Sequence, residues 1–160
     1  MSVAFVREES AETAQEVTLP ARPLSPFPNL VTESGLKALQ DAENAARIAL
    51  ETAQRLEDLT ERRRALEAAA RDLEYFSERL RSAEPRPAPE ATDKVAFGSR
   101  VTILRDDGRK QTFRIVGEDE ADPRSGSISY VSPLARKLTS RRVGEIVDLD
   151  GREIEILDIG

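Results

Sequence analysis

From Leu36 to Glu84 the chain contains no glycine and no proline, and so long a stretch without a breaker directs the chain towards helix. Within it, Leu39, Ala42, Ala46, Ala49, Ala53 and Leu56 recur at alternating spacings of three and four, the seam of a heptad on one helix face. A second seam runs through Leu66, Ala69, Leu73, Phe76, Leu80 and Ala83. The two are out of phase. Extending the first frame would bring Thr60, Arg63, Glu67, Glu74 and Ser77 into the seam, so a break is expected within residues 57–64. Two antiparallel helices satisfy both patterns, and the many alanines let them approach closely. The competing reading is one unbroken helix with a stutter, about 75 Å long at roughly 1.5 Å per residue, whose seam a second chain would have to cover. No glycine marks the turn, and periodicity alone leaves both readings open.

Beyond residue 94 the pattern becomes that of strands. Alternating apolar residues in Val101–Leu104 and Gln111–Val116 flank Asp106-Asp107-Gly108, an Asp-Gly turn that tolerates positive φ and favours a hairpin. A third strand is expected over Ser127–Val131, after a turn marked by Pro123 and Gly126. Ser132-Pro133 then opens a short helix, Leu134–Leu138, with Ser132 as N-cap and Pro133 at the first helical position. Ile146–Leu149 and Glu153–Ile159, joined through Asp150-Gly151, close the domain. The fold class is α+β, a helical hairpin followed by a small antiparallel sheet carrying one short helix.

The chain has no cysteine and no histidine. That removes thiol and imidazole nucleophiles, histidine general bases and Cys/His metal sites, and leaves carboxylates as metal ligands, which suit a hard ion such as Mg²⁺. A net charge of −6, from 30 acidic and 24 basic residues, disfavours a non-specific grip on a phosphate backbone, so nucleic acid is expected only indirectly. No apolar run approaches the roughly 20 residues of a membrane span, and the N-terminus has too short an apolar run and too many charges for a secretory signal. The expected compartment is the cytoplasm.

Residues 1–30 read as an extended, disordered arm, because Pro20, Pro23, Pro26 and Pro28 each remove a backbone donor and bias their neighbours away from helix. Ala21 to Asn29 is the part expected to dock, since Leu24 and Phe27 would otherwise be exposed. Residues 31–84 form the hairpin, with Thr32 or Ser34 as its N-cap. Residues 85–93, opening with Pro-Arg-Pro-Ala-Pro, form a stiff linker. Residues 94–160 form the C-terminal domain.

Three blocks in order, Val95-Ala96-Phe97-Gly98-Ser99, Ile115-Val116-Gly117-Glu118-Asp119-Glu120-Ala121-Asp122 and Ser132-Pro133-Leu134-Ala135-Arg136, resemble the C-terminal domain of bacterial GreA/GreB transcription elongation factors. Leu30-Val31-Thr32 with Gly35 and Leu39 resembles the start of the same proteins. The resemblance implies an FKBP-like domain without isomerase activity, docked at the secondary-channel rim of RNA polymerase, and a hairpin reaching inward. Asp58-Leu59-Thr60-Glu61 resembles the acidic tip of cleavage-active members. By that resemblance Asp58 and Glu61 are donated to the polymerase active centre, where they help hold Mg²⁺ while the polymerase cleaves its own backtracked transcript. Carboxylates at i and i+3 can share one helix face, which suits joint ligation. The protein would then be a monomer with no cofactor of its own and no enzymatic activity. Glu118, Asp119, Glu120, Asp122, Ser132, Pro133 and Leu134 are the implied polymerase-binding residues.

Two departures from the family pattern bear on the sign of the effect. Each helix looks shorter by roughly two turns, about 10 Å of reach, as in the short-armed Rnk-type regulators. Arg62-Arg63-Arg64 follows the tip, and an Asp58–Arg62 pair at i, i+4 would neutralise it. The protein is thus expected either to stimulate cleavage or to modulate access to the active centre. The alternatives from other classes are a coiled-coil homo-oligomeric adaptor and an enzyme using Asp58 or Glu61 as its own acid or base.

Overall fold

The computed structural model describes residues 18–160; the expectation of a disordered arm over 1–17 lies outside the described residues. Two antiparallel helices, α1 (Glu33–Gln54) and α2 (Leu59–Ser82), form a hairpin. Each starts where a side chain caps it. The Thr32 hydroxyl accepts the Gly35 amide at 3.0 Å and the Asp58 carboxylate accepts the Glu61 amide at 2.8 Å, each satisfying one of the donors a helix start leaves open. Between the helices, the amides of Arg55 and Leu56 bond back to the carbonyls of Thr52 and Ala53 at 3.1 and 3.2 Å. Arg62 Nε donates to the Leu56 carbonyl at 2.6 Å. A guanidinium thus ties the loop to the start of α2, and no residue of the turn adopts the positive φ for which helix ends commonly recruit glycine, so it needs none. The unbroken-helix reading is overturned.

The seams meet inside the chain. Leu39, Ala46, Ala53 and Ala69 are buried, but Ala49 is exposed and its neighbour Leu50 turns inward instead, as the larger apolar area gained by leucine favours. Ser77 Oγ donates across the pair to Glu43 at 2.8 Å. That bond, with the Arg47 guanidinium, holds the Glu43 carboxyl below its usual range.

Entry to and exit from the hairpin are tied together. The two-residue strands β1 (Leu30–Val31) and β2 (Glu84–Pro85) run parallel, joined by Glu84 N–H to the Asn29 carbonyl and Arg86 N–H to the Val31 carbonyl, both 2.8 Å. Pro85 has no donor to offer, and the ladder draws none from it.

The C-terminal domain is a five-stranded sheet in the order β5-β4-β3-β7-β6. Its strands are β3 (Arg100–Arg105), β4 (Lys110–Val116), β5 (Ser127–Ser129), β6 (Ile146–Leu149) and β7 (Arg152–Ile159), with α3 (Pro133–Leu138) following β5. The sheet is not wholly antiparallel, since β5 runs parallel to β4. The ten-residue excursion 117–126, which reaches towards the hairpin, returns the chain beside Arg114 instead of Val116, so β5 runs along β4 in the same direction. On β7 the buried residues are Ile154, Ile156 and Ile159. The change of step from two to three coincides with a bulge, where Thr102 faces Asp158 and Ile103 faces Ile156, passing over Leu157. Asp150 and Gly151, at φ 54° and 76°, make the tight β6–β7 turn. The inward faces of the strands and Ala135 and Leu138 of α3 enclose one apolar core.

Candidate functional site

The far end of the hairpin is residues 55–61. Leu59, the first residue of α2, is 75% exposed, and Asp58 and Glu61 are exposed on either side of it. Asp58 is the N-cap and Glu61 lies in the first turn, so the spacing that suggested a ligand pair is also that of a helix-capping motif. One oxygen of Asp58 is engaged by the Glu61 amide. Arg62, expected to pair with Asp58, is directed instead at the carbonyls of Leu56, at 2.6 Å, and Glu57, at 3.5 Å. Arg62 therefore does not cover the two acids, which are fixed in place by the start of a 24-residue helix. No group of three or more acidic, histidine or cysteine side chains suited to a metal occurs among the described residues. The donor set fits Mg²⁺ as a partial contribution to a site completed by other carboxylates.

The near end is where the acidic loop 118–122 meets the helices. Arg79 is 3% exposed; its Nε lies 2.5 Å from Asp119 and its Nη2 3.8 Å from Glu118. The Tyr75 hydroxyl also donates to Asp119. Burial, reinforced by that carboxylate, pushes the Tyr75 phenol up to about 12. Glu120 accepts the Thr32 amide at 3.0 Å and the Thr32 hydroxyl. Two glycines make room for this. A Cβ at Gly35 would lie 1.8 Å from Glu120, and one at Gly117 would lie 2.3 Å from the Leu30 carbonyl oxygen. Asn29 completes the joint, its Nδ2 donating to the Arg79 carbonyl at 2.6 Å.

Of the residues assigned to a partner surface, Glu118, Asp119 and Glu120 thus hold the hairpin to the sheet domain. Asp122 caps the 3₁₀ turn Pro123–Ser125 and is kept below its usual range chiefly by the Ser125 hydroxyl. Ser132 caps α3, Pro133 is exposed beside it, and Leu134 packs on the core. Sequence reasoning missed Tyr75 and Arg79 altogether, and placed Asn29 only as the end of a docking segment. One available signal was Gly35, since glycine in a first turn costs helix stability unless something needs the space.

The molecule is a stiff helical arm seated on a small β-domain, with acids exposed at the free end and consumed at the fixed one. Residues 89–160 match the family described as "Transcription elongation factor, GreA/GreB, C-term". The chain is 48% identical over 96 residues to transcription elongation factor GreB of Neisseria meningitidis serogroup B, covering 56% of this chain and 58% of that one. It therefore spans little more than half the length of that relative. Against transcription elongation factor GreA of Novosphingobium aromaticivorans it is 36% identical over 123 residues, 71% of this chain and 77% of the relative. Among solved structures, GreA factor homolog 1 of Thermus thermophilus aligns over 84% of this chain and 99% of its own, with 22% identity and a TM-score of 0.39. The chain belongs to the GreA/GreB family of transcription elongation factors.

Proposed function

We propose that this protein binds bacterial RNA polymerase in the cytoplasm and acts through the secondary channel, stimulating cleavage of backtracked transcripts. The observation that carries the reading is the exposed Asp58 and Glu61 pair at the end of a hairpin whose opposite end is locked to the sheet domain. Such an arm delivers two carboxylates at a set distance from its seat, about 33 Å for the 22 residues of α1. Asp58 and Glu61 would hold Mg²⁺ together with carboxylates of the polymerase. The ion, when bound, supplies charge stabilisation and an activated water. This chain contributes ligands and their placement, so the cleavage activity is the polymerase's own.

Asp122 and Pro133 are the exposed part of the corner assigned to the polymerase, with Ser132 and Leu134 behind them. Glu118, Asp119 and Glu120 serve the same function from inside, by fixing the arm's direction. A second reading, occupation of the channel without cleavage, draws on the exposed Arg64, whose positive charge near the pair opposes cation binding. Transcript cleavage in a halted, backtracked complex with Mg²⁺ separates the two. Acceleration abolished by Glu61→Ala supports donated ligands. No acceleration, with competition against a cleavage-active family member, supports occupation.

A further inference from the structure

Residues 21–29, the part of the arm expected from sequence to dock, do reach both the hairpin and the sheet domain, though through Arg22 and the segment's end, with Leu24 and Phe27 left 50% and 41% exposed. Arg22 reaches α2, where its guanidinium stacks 3.8 Å from the Tyr75 ring centroid and 4.9 Å from that of Phe76, and its Nη1 lies 3.0 Å from Asp72. A few residues on, the same segment touches the sheet domain. The Arg136 guanidinium lies 4.9 Å from the centre of the Phe27 ring, and the Tyr130 hydroxyl donates to the Pro28 carbonyl. Prolines recur every three residues at 20, 23 and 26, the period of an extended polyproline helix, and all three are exposed, whereas Arg22 and Ser25 between them are half-buried. A chain so stiffened loses little freedom on docking.

We propose that residues 22–28 form a brace spanning the joint, with Arg22 as a positioning residue that sets the direction of the arm. Arg22 stacks on the same Tyr75 whose hydroxyl bonds Asp119 of the sheet domain, so brace, helix and acidic loop share one side chain. The brace follows from geometry alone; its consequence for cleavage rests on the proposed function. If only correctly aimed arms enter the channel, apparent affinity scales with the aimed fraction, and the rate at saturation does not.

The test uses the full chain. It contains no cysteine, so Glu57→Cys at the tip and Glu153→Cys on the sheet take a spin-label pair cleanly. The parent is expected to give one narrow distance distribution, Arg22→Ala a broad one, and Arg22→Lys, which keeps the charge but loses the planar stack, an intermediate one. An unchanged distribution in Arg22→Ala overturns the brace. In the halted complex, Arg22→Ala is expected to raise the concentration for half-maximal cleavage about five-fold with the saturating rate unchanged, as a fall of the aimed fraction to about a fifth requires. A lowered saturating rate at unchanged half-maximal concentration overturns the positioning role. Failure of the parent to accelerate cleavage, with the distance results as expected, counts against the proposed function and leaves the brace standing.

Discussion

At the root of the hairpin Arg79 is 3% exposed and faces Asp119 and Glu118, with Tyr75 sharing Asp119. At the tip Leu59 is 75% exposed, and Asp58 and Glu61 stand open on either side of it. The same residue types serve opposite ends. Acids at the root are matched to a guanidinium, a phenol and an amide, so their worth lies in the fold. Acids at the tip are held by one short capping bond and remain available, so their worth lies in what they meet. Substitutions at the root should therefore cost stability and leave the tip's chemistry intact, and substitutions at the tip should do the reverse.

The strongest way to break this contrast is Arg79→Ala. Removing the buried guanidinium leaves two partly exposed carboxylates without their cation, a loss of about 2–3 kcal/mol, less than a fully buried pair would give. Urea unfolding is expected to show that loss, with the hairpin melting before the sheet domain. A change under about 1 kcal/mol would mean that the root is no more committed than the tip.

Next in size is a pair of glycines that separates rigid from yielding contacts. At Gly117 a methyl group would sit 2.3 Å from a backbone oxygen, that of Leu30, which can move only if β1 moves. Gly117→Ala is expected to cost about 1–3 kcal/mol. At Gly35 the obstruction is the end of the Glu120 side chain, which can swing away at the expense of its bonds to Thr32. Alanine is also the better helix former there by up to about 1 kcal/mol, so Gly35→Ala should cost less than Gly117→Ala in thermal denaturation.

Tyr75 gives the root a pH signature. Its phenol is raised from 10.0 to about 12 in the fold, so the folded state holds the proton more tightly than the unfolded one. The associated stability is fully present below pH 10, declines as pH rises from 10 towards 12, and is gone above that. Denaturation midpoints across this window should fall more steeply for the parent than for Tyr75→Phe, which has no proton to lose. Equal slopes would mean that folding does not raise the Tyr75 phenol.

How much of this was readable in advance differs between the same two ends. The strand positions and the capping of α3 follow from local chemistry: alternation, Asp-Gly turns and Ser-Pro at a helix start. The place where the seams lose phase is readable too, and it brackets the tip acids, but period alone did not say whether a turn or a stutter falls there. What was not readable is pairing at a distance. Arg79 sits next to seam residue Leu80 and looks like any solvated arginine, and the Glu-Asp-Glu run at 118–120 looks like any polar loop. Only the folded chain brings residues separated by 40 positions together. The parallel β5 escaped for the same reason, since a strand's direction depends on where the loop before it has travelled. Arg62 is a further case: spacing placed it opposite Asp58, and the loop carbonyls of Leu56 and Glu57 took it instead.

The smallest expected effect on stability is the most informative about the tip. Asp58 has two roles that Asp58→Ala removes together, an N-cap for α2 and an anionic oxygen at the arm's end. Loss of the cap alone should cost about 0.5–2 kcal/mol, enough to fray the first turn and displace Glu61 with it, so a fall in cleavage with alanine does not by itself identify a ligand. Asparagine separates the roles. It caps a helix about as well as aspartate, so Asp58→Asn should unfold at nearly the parent's urea concentration and keep Glu61 in place, while offering a neutral amide oxygen in place of a carboxylate. Donated ligation predicts that Asp58→Asn loses cleavage stimulation as fully as Asp58→Ala does, with Mg²⁺ titration failing to restore it. Retained stimulation in Asp58→Asn would mean that Asp58 matters for the shape of the tip alone, and that the arm's free end, like its root, uses its acids for structure.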